Sequence, residues 1–264
     1  MTTAADGVRE LWHYRELFYF MVWRDVKVRY KQSVLGAAWA VLQPLTTMII
    51  FTLFFNKVVR VQPPDDMPYP IFSYAALVPW TYFSTAISQA GLSLVNNRNL
   101  LTKVYFPRVT IPASSAVRGL LDFAIASVLL VGLMVYYQFV PSWELLLWPV
   151  LVIPLVMLAL GMGMFFAAAN VRYRDVQYVL PFLTQLLLFV TPIIFPWSMI
   201  PEKWRPILAL NPLVGLIEAF RACLVPSRSV DWSLLGVSLL VTSVIFAIGV
   251  WYFRRTAREF ADIV

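Results

Sequence analysis

Basic side chains crowd two short stretches of this 264-residue chain. Arg24, Lys27, Arg29 and Lys31 fall within eight positions. Such a cluster can hold phosphate or pyrophosphate by charge-assisted hydrogen bonds. The same charges can instead meet anionic lipid, and the residues alone leave both readings open. In the second stretch, Asn96–Arg108, the cations Arg98, Lys103 and Arg108 alternate with Leu100, Leu101, Val104 and Phe106. That mixture suits either a short docking helix or an ordinary basic loop. Other chemistry is missing. No phosphate loop of the form Gly-x-x-x-x-Gly-Lys-Ser/Thr occurs, so ATP is not expected to bind by that route. His13 is the only histidine and Cys223 the only cysteine, which excludes a histidine metal cluster and an internal disulfide. No nucleophile elbow and no His-Glu-x-x-His is present. No cofactor is expected in this chain, and a powered process would draw its energy from another subunit.

Six segments free of charge must position these residues: Gln32–Asn56, Met67–Asn97, Phe123–Trp143, Leu145–Val171, Val176–Pro201 and Trp232–Phe253. A helix needs about 20 apolar residues to cross a bilayer. A charge at the bilayer centre costs roughly 2.5–3.5 kcal/mol on insertion scales. The sequence therefore predicts an all-α membrane protein, one transmembrane domain over 1–264. Six spans are expected at 35–55, 72–94, 113–139, 146–169, 179–195 and 232–253. The first 31 residues carry ten charges and no uninterrupted apolar core, so a cleavable signal peptide is not expected.

The net charge of +7 suggests nucleic acid only until the charges are placed. With the N-terminus inside, fourteen basic residues fall in cytoplasmic segments: Arg9, Arg15, Arg24, Lys27, Arg29, Lys31, Arg98, Lys103, Arg108, Arg172, Arg174, Arg254, Arg255 and Arg258. Six fall outside: Lys57, Arg60, Lys203, Arg205, Arg221 and Arg228. This bias places both termini in the cytoplasm, and no nucleic-acid partner is expected. Residues 8–31 read as an amphipathic interface helix, with Trp12, Tyr19, Trp23, Val26 and Tyr30 on one side and Arg9, Glu16, Lys27 and Lys31 on another. Arg15 and Arg29 break that pattern. Arg118 and Asp122, spaced i,i+4, are expected to pair at the inner boundary. Gly161-Met162-Gly163 allows close helix packing. Residues 196–226 hold a 12-residue apolar run broken by prolines, too short to span, and read as two short re-entrant helices turning at Asn211-Pro212.

Several motifs occur in order along nearly the whole chain. They are Trp23-Arg24-Asp25-Val26-Lys27-Val28-Arg29-Tyr30-Lys31-Gln32-Ser33-Val34-Leu35-Gly36, Gln43-Pro44, Leu101-Thr102-Lys103-Val104-Tyr105-Phe106-Pro107-Arg108 and Arg172-Tyr173-Arg174-Asp175. Thr191-Pro192-Ile193-Ile194-Phe195, Asn211-Pro212-Leu213 and Phe220-Arg221 follow. This set resembles the permease subunit of the ABC exporters that carry O-antigen, other surface polysaccharides and teichoic acids.

The resemblance implies a homodimer in the bacterial cytoplasmic (inner) membrane, paired with two copies of an ATPase that binds ATP and Mg. It implies a coupling helix over 96–108, with Arg98, Asn99, Leu100, Leu101, Lys103, Phe106, Pro107 and Arg108 at the contact. The substrate would be a lipid-pyrophosphate-linked polysaccharide, with Arg24, Lys27, Arg29 and Lys31 near its entry. The first and fifth spans would line the path, placing Trp39, Phe51, Phe54, Phe55, Phe182, Gln185 and Phe189 beside it. Sugars stack on aromatic rings, and 16% of the residues are Phe, Trp or Tyr. Interfacial belts also collect aromatics. A secondary carrier would show inverted repeats and midplane charges, which are lacking. A membrane transferase would need clustered acids or histidines in its loops. A permease for another lipid or a drug-like substrate is the closest rival.

Overall fold

A computed structural model describes residues 14–31, 36, 38–64, 67–98, 106–226 and 228–257. Residues 8–13 of the expected interface helix, Asn99, Leu100, Leu101 and Lys103 lie outside the described residues. Among the described residues there are helices and no strand. They run α1 Arg15–Lys31, α2 Ala38–Phe51, α3 Tyr69–Asn96, α4 Thr110–Tyr136, α5 Trp148–Arg172, α6 Val176–Val190, α7 Arg205–Ala209, α8 Pro212–Ala222 and α9 Trp232–Ala257. A π-helical stretch, Thr52–Val58, extends α2, and a 3₁₀ turn, Trp143–Leu147, leads into α5.

Among the described residues, four helices are long and apolar enough to cross a membrane: Ala38–Val58, Thr110–Tyr136, Trp143–Arg172 and Trp232–Ala257. The other two expected spans differ for separate reasons. At 28 residues α3 is long enough, but it carries Ser73, Thr81, Ser84, Thr85, Ser88, Gln89 and Ser93. It tolerates them because it is the central, most enclosed helix, with α4 and α5 along its sides and α2, α6 and α8 against it. A helix shielded by protein need not be as apolar as one facing lipid. α6 has only 15 residues, about 22 Å at 1.5 Å per residue.

Prolines set several boundaries. α4 begins at Thr110, earlier than expected, because Pro112 sits in its first turn, where a missing N–H costs nothing. α6 stops at Val190 and not at Phe195. Thr191, which precedes Pro192, is extended, with ψ 137°, as a pre-proline residue prefers.

The expectation of close packing at Gly161-Met162-Gly163 holds. A Cβ on Gly161 would lie 2.6 Å from the Phe246 Cα, and one on Gly163 would lie 2.6 Å from the Ala90 Cβ. The tightest crossing is Gly249 of α9, where an added Cβ would meet the Gly161 carbonyl oxygen at 2.0 Å. Gly249→Ala is expected to force α5 and α9 apart and cost about 1–3 kcal/mol. Gly236, with nothing near its Cβ position, should accept alanine freely. Thermal unfolding of the two variants in detergent checks the contrast.

Exposed aromatics mark both rims of the bundle. Tyr136, Trp143, Trp204 and Trp232 ring one end, and Trp23, Tyr178 and Trp251 the other. This is the distribution of interfacial belts.

Candidate functional site

One rim of the bundle, where α3 and α9 end, is built around α1. Its Met21 and Val26 face the bundle, while Tyr19, Phe20 and Trp23 stay exposed. The expected aromatic face is therefore not the packing face for Tyr19 and Trp23. Polar contacts dock the helix instead. Arg29 pairs with Asp122 of α4 at 2.9 Å, and the Tyr30 hydroxyl donates to the same carboxylate. Arg24 bonds Asp25 at 2.8 Å and Asn97, at the end of α3, at 3.3 Å. Burial and the Asp122 hydrogen bond push the Tyr30 hydroxyl up to about 12. Lys27 lies over the Trp23 ring at 5.5 Å, and Lys31 is exposed.

Asp122 thus pairs with Arg29 and not with Arg118, correcting the i,i+4 expectation. The Arg118 guanidinium reaches Gln89 of α3. Spacing along one helix cannot register a cation arriving from another. Arg29, which breaks the amphipathic pattern of α1, does so because it faces a carboxylate.

Below this rim the candidate coupling segment is rooted in the fold. Phe106 is 5% exposed and packs in a cluster with Met21 of α1, Leu94 of α3, Ile111 of α4 and Phe253 of α9. The Arg108 guanidinium donates to the Ala257 carbonyl at the end of α9. Pro107 is half-buried. Phe106 is thus an internal anchor and not an exposed plug.

The candidate path residues divide into two sets. Trp39, Phe54, Phe182, Gln185 and Phe189 are exposed, whereas Phe51 and Phe55 are half-buried, edge to face at 5.7 Å, and lean on the core. α2 and α6 both rest on α3 while scarcely touching each other. On α6 the exposed Tyr178, Phe182, Gln185 and Phe189 recur at helical spacing and form one stripe.

A polar stripe on α3 escaped the sequence reading. Thr81, Ser84, Thr85, Ser88 and Gln89 lie partly exposed from the middle of the helix toward its C-terminal end. Their i,i+4 recurrence inside a charge-free segment was the available signal.

The opposite rim centres on Arg221, expected from sequence as an outer-segment charge but only 1% exposed. Its Nε donates to the Phe72 carbonyl at 3.2 Å, Nη1 to Pro192 at 2.5 Å and Nη2 to Ile193 at 2.6 Å. Glu218 pairs with Arg221 at 3.0 Å and with Arg228 at 2.7 Å. The Phe72 ring lies 3.6 Å from the guanidinium carbon. The Tyr69 hydroxyl donates to Ile194 at 2.8 Å, and the Asn211 amide to the Thr191 hydroxyl at 3.0 Å. Asn211 also caps α8 through the Leu213 N–H. The break after α6 is thus held by side chains from α3 and from the start and body of α8. Every residue of α8 is buried, and Phe220 packs 4.7 Å from Trp148. α7, by contrast, has no buried residue.

The family model for the ABC-2 type transporter matches residues 16–225. Relatives match over most of their own length. An O-antigen export system permease protein, RfbA, of Myxococcus xanthus is 34% identical over 97% of this chain and 98% of the relative. The RfbA permease of Klebsiella pneumoniae is 29% identical over 91% and 92%. The polysialic acid transport protein KpsM of Escherichia coli is 28% identical over 83% and 86%. The chain belongs to the ABC-2 type transporter membrane-domain family.

Proposed function

We propose that this chain is the transmembrane subunit of an ABC exporter. It moves a lipid-linked surface polysaccharide of the O-antigen type across the bacterial cytoplasmic membrane, powered by a separate ATPase. The observation that carries this reading is end-to-end similarity to an O-antigen export permease.

The proposed architecture has six spans, α2, α3, α4, α5, α6 and α9, with both termini cytoplasmic. α1 lies at the inner interface, and residues 196–226 form the outer re-entrant pair. The active unit is a homodimer with two ATPase copies, which hold ATP and Mg and dock on residues 96–108. Arg24, Lys27, Arg29 and Lys31 face the entering pyrophosphate. The exposed aromatics of α2 and α6 offer sugar-stacking surfaces along the path.

Deleting the gene tests the reading. Surface polysaccharide is expected to vanish while the lipid-linked polymer accumulates inside, and the intact gene should restore export. Normal surface polysaccharide in the deletion strain would overturn it. The path aromatics give a finer test. Phe54→Leu, Phe182→Leu and Phe189→Leu should lower export at unchanged abundance, because leucine offers no stacking face. Phe51→Leu and Phe55→Leu should lower abundance, since those rings support the core. Quantitative blots of chain and polysaccharide separate the two patterns.

A further inference from the structure

The turn between α5 and α6 carries Arg172-Tyr173-Arg174-Asp175, and all four side chains are exposed. Its backbone, by contrast, is pinned. The Tyr173 N–H donates to the Ala169 carbonyl at 2.7 Å, the Val176 N–H to Tyr173 at 3.3 Å and the Tyr178 N–H to Asp175 at 2.9 Å. Asn170, 4% exposed, donates its amide to the Gly91 carbonyl of α3 at 3.4 Å. Val176 and Leu180 form the buried face of α6. The turn is thus a fixed mount for side chains that the packing does not use. It lies on the rim that α1 occupies, since Val171 packs in the cluster of Met21 and Phe106.

The cations of this rim are not equally available. Arg24 is paired with Asp25 and Arg29 with Asp122, and Lys27 lies over the Trp23 ring. Among the described residues, Arg172 and Arg174 have no ion pair, and Arg172 lies over the Tyr173 ring at 5.7 Å. Two arginines against the single Asp175 leave the turn net positive. A guanidinium is a planar fork that takes phosphate oxygens two at a time, so two forks on one turn suit a pair of phosphates. The neighbouring surface narrows the guest further. The exposed stripe Tyr178, Phe182, Gln185 and Phe189 starts at the turn and runs about 17 Å along α6, at 1.5 Å per residue. Inorganic phosphate has no use for such a surface. An amphiphile whose diphosphate joins a hydrocarbon tail to sugars uses both: the forks hold the head, and the sugars follow the rings.

We propose that the turn between α5 and α6 binds the diphosphate of the lipid-linked substrate through Arg172 and Arg174. The inference rests on the export reading above. It places the head group at the foot of the α6 stripe, on guanidinium groups that no carboxylate of another helix occupies.

Cysteine protection tests it on the full chain in phosphatidylcholine nanodiscs. Gln177→Cys and Tyr178→Cys, both exposed beside the turn, are two independent reporters, and native Cys223 is buried. The probes are geranylgeranyl diphosphate, geranylgeraniol, phosphatidylglycerol and cardiolipin. The diphosphate is expected to slow maleimide labelling about tenfold at about nine times its Kd, by mass action. Arg172→Gln and Arg174→Gln should each raise that Kd about tenfold or more, the worth of a hydrogen bond to a charged group. Both side chains are exposed, so thermal unfolding of these variants should match the parent chain. Arg254→Gln removes an exposed cation from the end of α9 and should leave the Kd unchanged, because salt screens so distant a charge. Equal protection by geranylgeraniol would make the stripe a lipid groove. Equal protection by phosphatidylglycerol or cardiolipin would make the turn a contact for bulk anionic lipid. Either result overturns the proposal, as does an equal loss in Arg254→Gln or no protection at all. A chain that exports polysaccharide in cells yet shows no diphosphate protection sinks only this assignment. Failure of the export reading shows instead as normal surface polysaccharide after gene deletion.

Discussion

Arg221→Met is expected to destabilise the chain by about 3–5 kcal/mol, the scale for breaking a buried ionic network by removing one partner. The substitution leaves three carbonyls, those of Phe72, Pro192 and Ile193, without the guanidinium donors they share. It also leaves Glu218, 5% exposed, with Arg228 alone. Arg221→Lys should recover little, because one ammonium cannot span carbonyls on separate elements in the geometry of a planar fork. Glu218→Gln should cost less than Arg221→Met, since the amide still accepts a hydrogen bond and the three carbonyl contacts survive. Unfolding in detergent, followed by size-exclusion chromatography after heating, ranks the variants. If Glu218→Gln costs as much as Arg221→Met, the ion pair and not the carbonyl clamp holds this corner together.

Phe106→Ala is expected to cost about 3–5 kcal/mol, the usual range for truncating a well-packed phenylalanine. Its ring belongs to a cluster drawn from five helices, so its loss loosens α1, α3, α4, α5 and α9 together. Leu101→Asp, in the segment proposed to touch the ATPase, should leave the chain in the membrane at normal abundance and abolish co-purification of the ATPase. The segment and its root thus separate experimentally: one variant loses the partner, the other loses the fold. A stable Phe106→Ala chain that merely fails to bind ATPase would show that the ring acts as a contact after all.

Much of the architecture was legible in charge alone. A residue type that cannot enter hydrocarbon marks span limits by its absence, and each charge-free segment holds at least half of a helix, although α4 starts at Thr110, before its segment, and carries Arg118 and Asp122. Proline placed the ends less well, because its effect depends on whether it falls in a first turn, as Pro112 does, or follows an extended residue, as Pro192 does. Partnerships between helices were not legible. Asp122 has a cation four residues away on its own helix, yet pairs with Arg29, ninety-three positions earlier in the chain. Arg221 counted as an outer-segment charge because sequence cannot tell an arginine in solvent from one wrapped by carbonyls. Phe106 looked like an exposed plug for the same reason. The polar stripe on α3 was overlooked because serine and threonine in apolar helices usually bond their own backbone. Only the structure shows that Thr81 and Thr85 do not.

Reconstitution measures the central claim most directly. The chain and the ATPase that co-purifies with it are placed in proteoliposomes carrying lipid-linked polysaccharide on the outer leaflet, the face accessible to added ATP. Movement of the glycan into the lumen is followed by its protection from an added glycosidase. The account predicts protection that requires ATP, Mg and both subunits, with no ATP hydrolysis by the chain alone. Protection by the chain alone without ATP, or steady ATP hydrolysis with no glycan movement, would contradict it.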